Sequence, residues 1–158
     1  FHELNSKTQS FFYVHKRHIS LKYCSQICLN LCLPEKWVQD KGRFYVFSND
    51  TKDWNSSRQC CQDLGGDLVI INSSEEQEFL AQQIVTFNAL VLHWIGLTDR
   101  QTEGVWLWVD NTPLNNNVSW HKLSKDHCAV ISGYLKGEKW GDISCLKMQR
   151  SICEVPCS

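Results

Sequence analysis

Val91-Leu92-His93-Trp94-Ile95-Gly96-Leu97 is a short, almost wholly apolar run that stops at a polar turn spanning Thr98 to Gly104. Its length and composition predict a buried strand. Downstream, Val105-Trp-Leu-Trp-Val109 reads as another strand, rich in aromatic and β-branched residues. Residues 110–127 are polar, carry Pro113 and the Asn115-Asn116-Asn117 run, and predict a long loop. Cys128–Ile131, Lys139–Ile143 and Ser151–Val155 complete the pattern as three late segments. Upstream, Arg43-Phe-Tyr-Val-Phe47 predicts a strand, and Asp53 or Asn55 caps a helix that Gly65-Gly66 stops near Leu64. Asp67-Leu-Val-Ile-Ile71 is a short buried strand. Ser73 or Ser74, with Glu76 or Gln77 three residues on, forms a capping box for a second helix whose apolar side is Phe79, Leu80 and Ile84. Two early helices, several short antiparallel strands and one long loop describe an α+β domain.

Nine cysteines in 158 residues place the chain by compartment. Thiols at this density are oxidised more often than free, which points to a secreted or cell-surface protein. Four N-x-S/T triplets agree, at Asn49, Asn55, Asn72 and Asn117, and mark candidate N-glycosylation sites. A formal charge of -1 gives no global field to attract nucleic acid or an anionic bilayer. No apolar window is long enough to cross a bilayer. The chain opens without Met or a signal-like run, so it reads as an excised or processed fragment, compatible with an anchor elsewhere.

Residues 1–31 differ in texture from the rest and read as a stalk or neck. Phe11-Phe12-Tyr13-Val14 is followed by Lys16, Arg17 and His18, and then by Cys24, Cys28 and Cys32 at four-residue spacing. That spacing lines them along one side of a helix, where interchain disulfides outweigh a metal cluster in an oxidising setting. The domain proper spans 32–158.

Trp94-Ile95-Gly96-Leu97 also stands in a longer ordered set: Trp54 with Cys61, Gly65 with Leu68, Trp106-x-Trp108-Val109-Asp110, Cys128, Trp140-Gly141-Asp142 and Ser151-Ile152-Cys153-Glu154. In this order they resemble the C-type lectin-like domain, and among its members the natural-killer and myeloid type II membrane receptors. The resemblance covers about residues 32–157. It implies bridges from Cys61 to Cys153 and from Cys128 to Cys145, each closing a loop that costs the unfolded chain a few kcal/mol of entropy. Trp94, Trp106 and Trp108 become core residues. Cys24, Cys28, Cys32, Cys60 and Cys157 are left over, with Cys157 to Cys28 or Cys32 as one pairing. An odd total favours an interchain bridge and a disulfide-linked homodimer.

Sugar-binding members of the family hold calcium with a Glu-Pro-Asn or Gln-Pro-Asp tripeptide and a Trp-Asn-Asp run. A hard cation needs that many oxygens. Here the long loop has neither tripeptide, and Trp140-Gly141-Asp142 lacks the amide, leaving Asp126 and Asp142 at acidic positions. No metal or other cofactor is therefore expected, and His121, His127 and Asp126 are read as loop residues rather than a metal site. Trp120, His121, Lys122, Lys125, Asp126, Lys136 and Lys139 form the candidate ligand face, with aromatics as anchors and charges tuning specificity. The leading expectation is an immune-type receptor ectodomain, outside the plasma membrane of a single-pass type II protein, that binds a protein ligand on another cell without calcium. The alternative is a calcium-independent glycan receptor that uses Trp120 and His121 as a stacking platform. An enzyme is not expected: there is no phosphate cradle, nucleophile elbow or His-Glu-x-x-His run.

Overall fold

The computed structural model describes residues 34–88, 90–115, 126–133 and 139–156. Residues 1–31, read from the sequence as a stalk, and Cys24, Cys28, Cys32 and Cys157 fall outside these residues. The described elements are, in chain order, β1 (Pro34–Asp40), β2 (Arg43–Ser48), α1 (Trp54–Asp63), β3 (Asp67–Leu68), α2 (Ser74–Asn88), β4 (His93–Thr98), β5 (Leu107–Trp108), β6 (Cys128–Ile131), β7 (Trp140–Ile143) and β8 (Arg150–Pro156). The α+β reading with two helices holds.

Local chemistry sets both helix starts. The Asp53 carboxylate accepts the Ser56 amide at 2.8 Å, so Asp53 rather than Asn55 is the cap of α1. Gly65, at φ +86°, ends that helix in a conformation that costs glycine little. At α2, Ser73 Oγ accepts the Glu76 amide at 3.1 Å, and the Glu76 carboxylate reaches back to the Asn72 amide at 2.9 Å. The second oxygen of Glu76 accepts the Tyr45 hydroxyl at 2.6 Å, which ties the start of α2 to β2. Burial, then the Glu76 contact, pushes the Tyr45 hydroxyl well above the usual phenol range.

The strands run β1-β2-β8-β4-β6-β7 across the sheet, with β3 added to β8 and β5 to β4. β8 is central: it pairs antiparallel with β2 and parallel with β4, where His93 meets Arg150 and Trp94 meets Ser151. The sheet is thus mixed rather than purely antiparallel. The Trp94-Ile95-Gly96-Leu97 run is the middle of β4, and all four residues are at 0% exposure or in the buried class. Gly66 lies against β8 so closely that a Cβ there would run into the Glu154 carbonyl.

Burial forms two clusters, one around Phe47, Leu80, Ile95, Trp108 and Trp140 and one around Trp54, Cys61, Trp94, Cys128 and Cys153. Trp94, Trp106 and Trp108 are core residues, as expected. Cys61 bonds Cys153 with Cα atoms 5.2 Å apart, and Cys128 bonds Cys145 at 5.1 Å. The first bridge fixes α1 to the central strand across 92 residues, and the second closes the start of β6 onto the turn after β7. Cys60 is disulfide-bonded too, and since the other four described cysteines pair among themselves, its partner lies outside the described residues.

Candidate functional site

One end of the sheet collects the polar residues. Thr98 pairs with Cys128, and Cys128 with Ile143, so the end of β4, the start of β6 and the end of β7 sit side by side. Asp99 meets His127 there, Asp126 precedes His127 in the chain, and Asp142 lies opposite Ala129 in the β6–β7 ladder.

Asp142 is fully buried, opposite Ala129 in the β6–β7 ladder. Trp140, two residues earlier on the same face of the strand, is 1% exposed and meets Trp108 edge-on at 5.5 Å. It is a core residue rather than a contact. Asp126 stands partly buried just before β6. Lys139 extends towards α2, its Nζ 3.8 Å from Glu78 Oε2. Trp120, His121, Lys122, Lys125 and Lys136 lie outside the described residues, as does Asn117; Asn49, Asn55 and Asn72 are exposed.

Sequence reasoning missed the best-defined polar pair at this end. Asp99 is 2% exposed; its Oδ1 stands 2.8 Å from His127 Nδ1 and its Oδ2 accepts the Gly104 amide at 2.8 Å. The His127 carbonyl accepts Thr98 Oγ1 at 2.5 Å and the Asp99 amide at 3.2 Å. Ring and backbone of His127 are therefore both fastened to the 98–104 turn. The two residues are 28 apart in sequence, and no local signal links them.

A calcium cage does not fit what is here. Gly141 offers no side-chain oxygen where the family pattern has an amide, and both Asp99 oxygens are already engaged. Among the described residues no group of three or more His, Cys, Asp or Glu stands close enough to hold a metal ion. A separate open groove, between the β1–β2 turn and the end of β8, is lined by Arg43, Gly66, Asp67, Glu154 and Pro156. Its charges are committed to one another: Arg58 grips Asp67 with two nitrogens, and Arg43 stands between Glu154 at 3.0 Å and Glu76 at 3.5 Å. Burial raises the Glu154 carboxyl despite the Arg43 charge beside it.

The lectin C-type domain pattern matches residues 50–155. The chain belongs to the C-type lectin family. This lectin domain is 36% identical to human C-type lectin domain family 17, member A over 136 residues, which is 83% of this chain and 34% of that protein. The C-type lectin domain of murine dendritic cell inhibitory receptor 2, solved in complex with N-glycan, matches with a TM-score of 0.66 and 29% identity over 78% of this chain and 98% of that one. The cow carbohydrate-recognition domain of CD23, solved in the presence of a GlcNAc2Man3 oligosaccharide, matches with a TM-score of 0.65 and 30% identity over 79% and 96%. These relatives are lectin and receptor domains rather than enzymes, and this lectin domain is likewise a non-catalytic recognition module.

The glycan-bound relatives correct the leading expectation of a protein ligand bound without calcium. They favour the alternative, a calcium-independent glycan receptor: loss of the tripeptide and of the Trp-Asn-Asp amide bears on calcium, not on sugar binding itself. The two are separable, because a sugar ring is also held by aromatic stacking and by direct hydrogen bonds to its hydroxyls.

Proposed function

We propose that this chain is the extracellular glycan-recognition domain of a cell-surface receptor, and that it holds its sugar without calcium. The observation that carries the reading is the match to a domain solved with an N-glycan bound, on a chain in which no metal-binding group of His, Cys, Asp or Glu is found among the described residues. In this reading Trp120 and His121 stack on a pyranose face, and Lys122, Lys125 and Lys136 select among glycans by charge. Asn49, Asn55 and Asn72 are accessible for N-glycosylation.

The same reading puts residues 1–31 in a stalk leading to the membrane of a type II protein. Every described cysteine is disulfide-bonded, and Cys60 draws one partner from Cys24, Cys28, Cys32 and Cys157. Three remain, and an odd number cannot pair within one chain, which supports an interchain bridge. Non-reducing electrophoresis of the full chain is expected to show a dimer that collapses on reduction; a monomer without reductant contradicts the bridge.

Staining a broad cell panel with a multimer of the chain tests the function. Binding is expected to persist in EDTA and to disappear after glycosidase treatment of the cells. Loss in EDTA, or persistence after deglycosylation, contradicts the reading.

A further inference from the structure

We infer that His127 is a sugar-contacting residue, its ring held by Asp99 so that Nε2 accepts a hydrogen bond from a pyranose hydroxyl. The inference rests on the glycan-binding reading and adds to it a specific atom.

Nδ1 faces a carboxylate oxygen at 2.8 Å that belongs to an almost completely buried side chain. The imidazole nevertheless keeps 44% of its side-chain surface exposed, against 1% for Asp99. The Nδ1 edge lies against the buried partner, which leaves the exposed surface to the rest of the ring, the part that includes Nε2. In the neutral ring, a hydrogen on Nδ1 donated to the Asp99 carboxylate leaves Nε2 with its lone pair.

The ring is also unusually fixed for a residue bordering a long loop. Its carbonyl takes two hydrogen bonds from the 98–104 turn, and the next residue is anchored through the Cys128–Cys145 bridge. Asp99 is itself held by the Gly104 amide. A polar atom whose position is set by packing and by a second layer of hydrogen bonds loses little entropy when a ligand meets it. The ligand it suits is a neutral hydroxyl donor. Asp99 acts through His127 and is a positioning residue.

A structural role for the pair, with His127 merely satisfying a buried carboxylate, predicts different behaviour in two variants. His127→Asn keeps an N–H donor near the Nδ1 position but removes the ε nitrogen. Asp99→Asn replaces an obligate acceptor by an amide that can donate to Nδ1, which moves the ring hydrogen to Nε2 and turns the exposed acceptor into a donor. Both are measured on the full chain, with thermal unfolding alongside binding to GlcNAc2Man3 oligosaccharide and to a printed panel of neutral and sialylated N-glycans.

The expected result is unfolding within a few degrees of wild type and binding at least about tenfold weaker for both variants on every glycan the wild type binds. Wild-type binding with His127→Asn within about twofold overturns the role of His127 and leaves glycan recognition standing. If His127→Asn unfolds, His127→Ala, which removes the ring, decides: binding by the folded variant at least about tenfold weaker than wild type supports the contact, and binding within about twofold overturns it. A wild-type chain that binds nothing on the panel overturns the functional reading itself, and the contact with it.

Discussion

Trp94→Ala is expected to cost about 3–5 kcal/mol, enough to leave a domain of ordinary stability largely unfolded. The side chain is 0% exposed and sits in the cluster that contains Cys61, Cys128 and Cys153. Truncation leaves a cavity in the cluster that holds cysteines of both disulfides, and these crosslinks limit how far the surroundings can collapse into it. It also strands a hydrogen bond, because Trp94 Nε1 donates to the Lys52 carbonyl at 2.9 Å. Trp94→Phe separates the two effects: it fills most of the volume and loses only the donor, so about 1–3 kcal/mol is expected. Urea unfolding with the disulfides intact measures both. A loss below about 1 kcal/mol for Trp94→Ala contradicts the placement of this strand at the centre of the domain.

Acid is expected to destabilise the protein through His93. The imidazole is completely buried; its Nδ1 lies 3.3 Å from the Val91 carbonyl, and its Nε2 is buried with no hydrogen bond. Apolar Phe47 packs edge-on from β2 at 5.9 Å, Ile131 pairs with it from β6, and Arg150 on β8 brings the one charge that shifts it. Burial, reinforced by Arg150 and opposed by the Val91 carbonyl, drops the pKa from 6.5 to about 4.

The folded pKa is below the unfolded one, so the unfolded chain binds the extra proton. The associated stability is complete above pH 6.5 and is lost as pH falls towards 4, amounting to about 3 kcal/mol at about 1.4 kcal/mol per tenfold step. Titrating carboxylates also lower stability in acid, so the informative quantity is the difference between wild type and His93→Phe. The variant is expected to keep more stability at pH 5 than wild type does, relative to each at pH 7.5. Equal losses in the two proteins would show that His93 is not buried as a neutral ring.

How much of this was visible in the sequence depends on how local each feature is. The Asp53 and Ser73–Glu76 caps are decided within a few residues, and the reading located both to within the alternatives it left open. The β4 run announced itself by composition. β1 did not: Pro34-Glu-Lys-Trp-Val-Gln-Asp40 is a half-polar edge strand, and only its pairing with β2 makes it one. Val105–Val109 was read as a full strand, but only Leu107–Trp108 joins the ladder, while Val105 stays 48% exposed. Likewise Asp67–Ile71 pairs only at Asp67–Leu68, after which Val69 bonds singly to Ile152 and Gly96. The two disulfides followed from family resemblance and not from spacing. The parallel contact of β4 with β8 and the Asp99–His127 pair join distant segments, and no periodicity in one segment reveals its partner in another.

The central claim is recognition of a sugar by direct contacts alone. Binding of the purified chain to a glycan microarray in EDTA, with the same array run in calcium, tests it most directly. The account predicts the same set of bound glycans, at closely similar strength, in both conditions. Binding in calcium that vanishes in EDTA, or an array with no bound glycan in either, would contradict it.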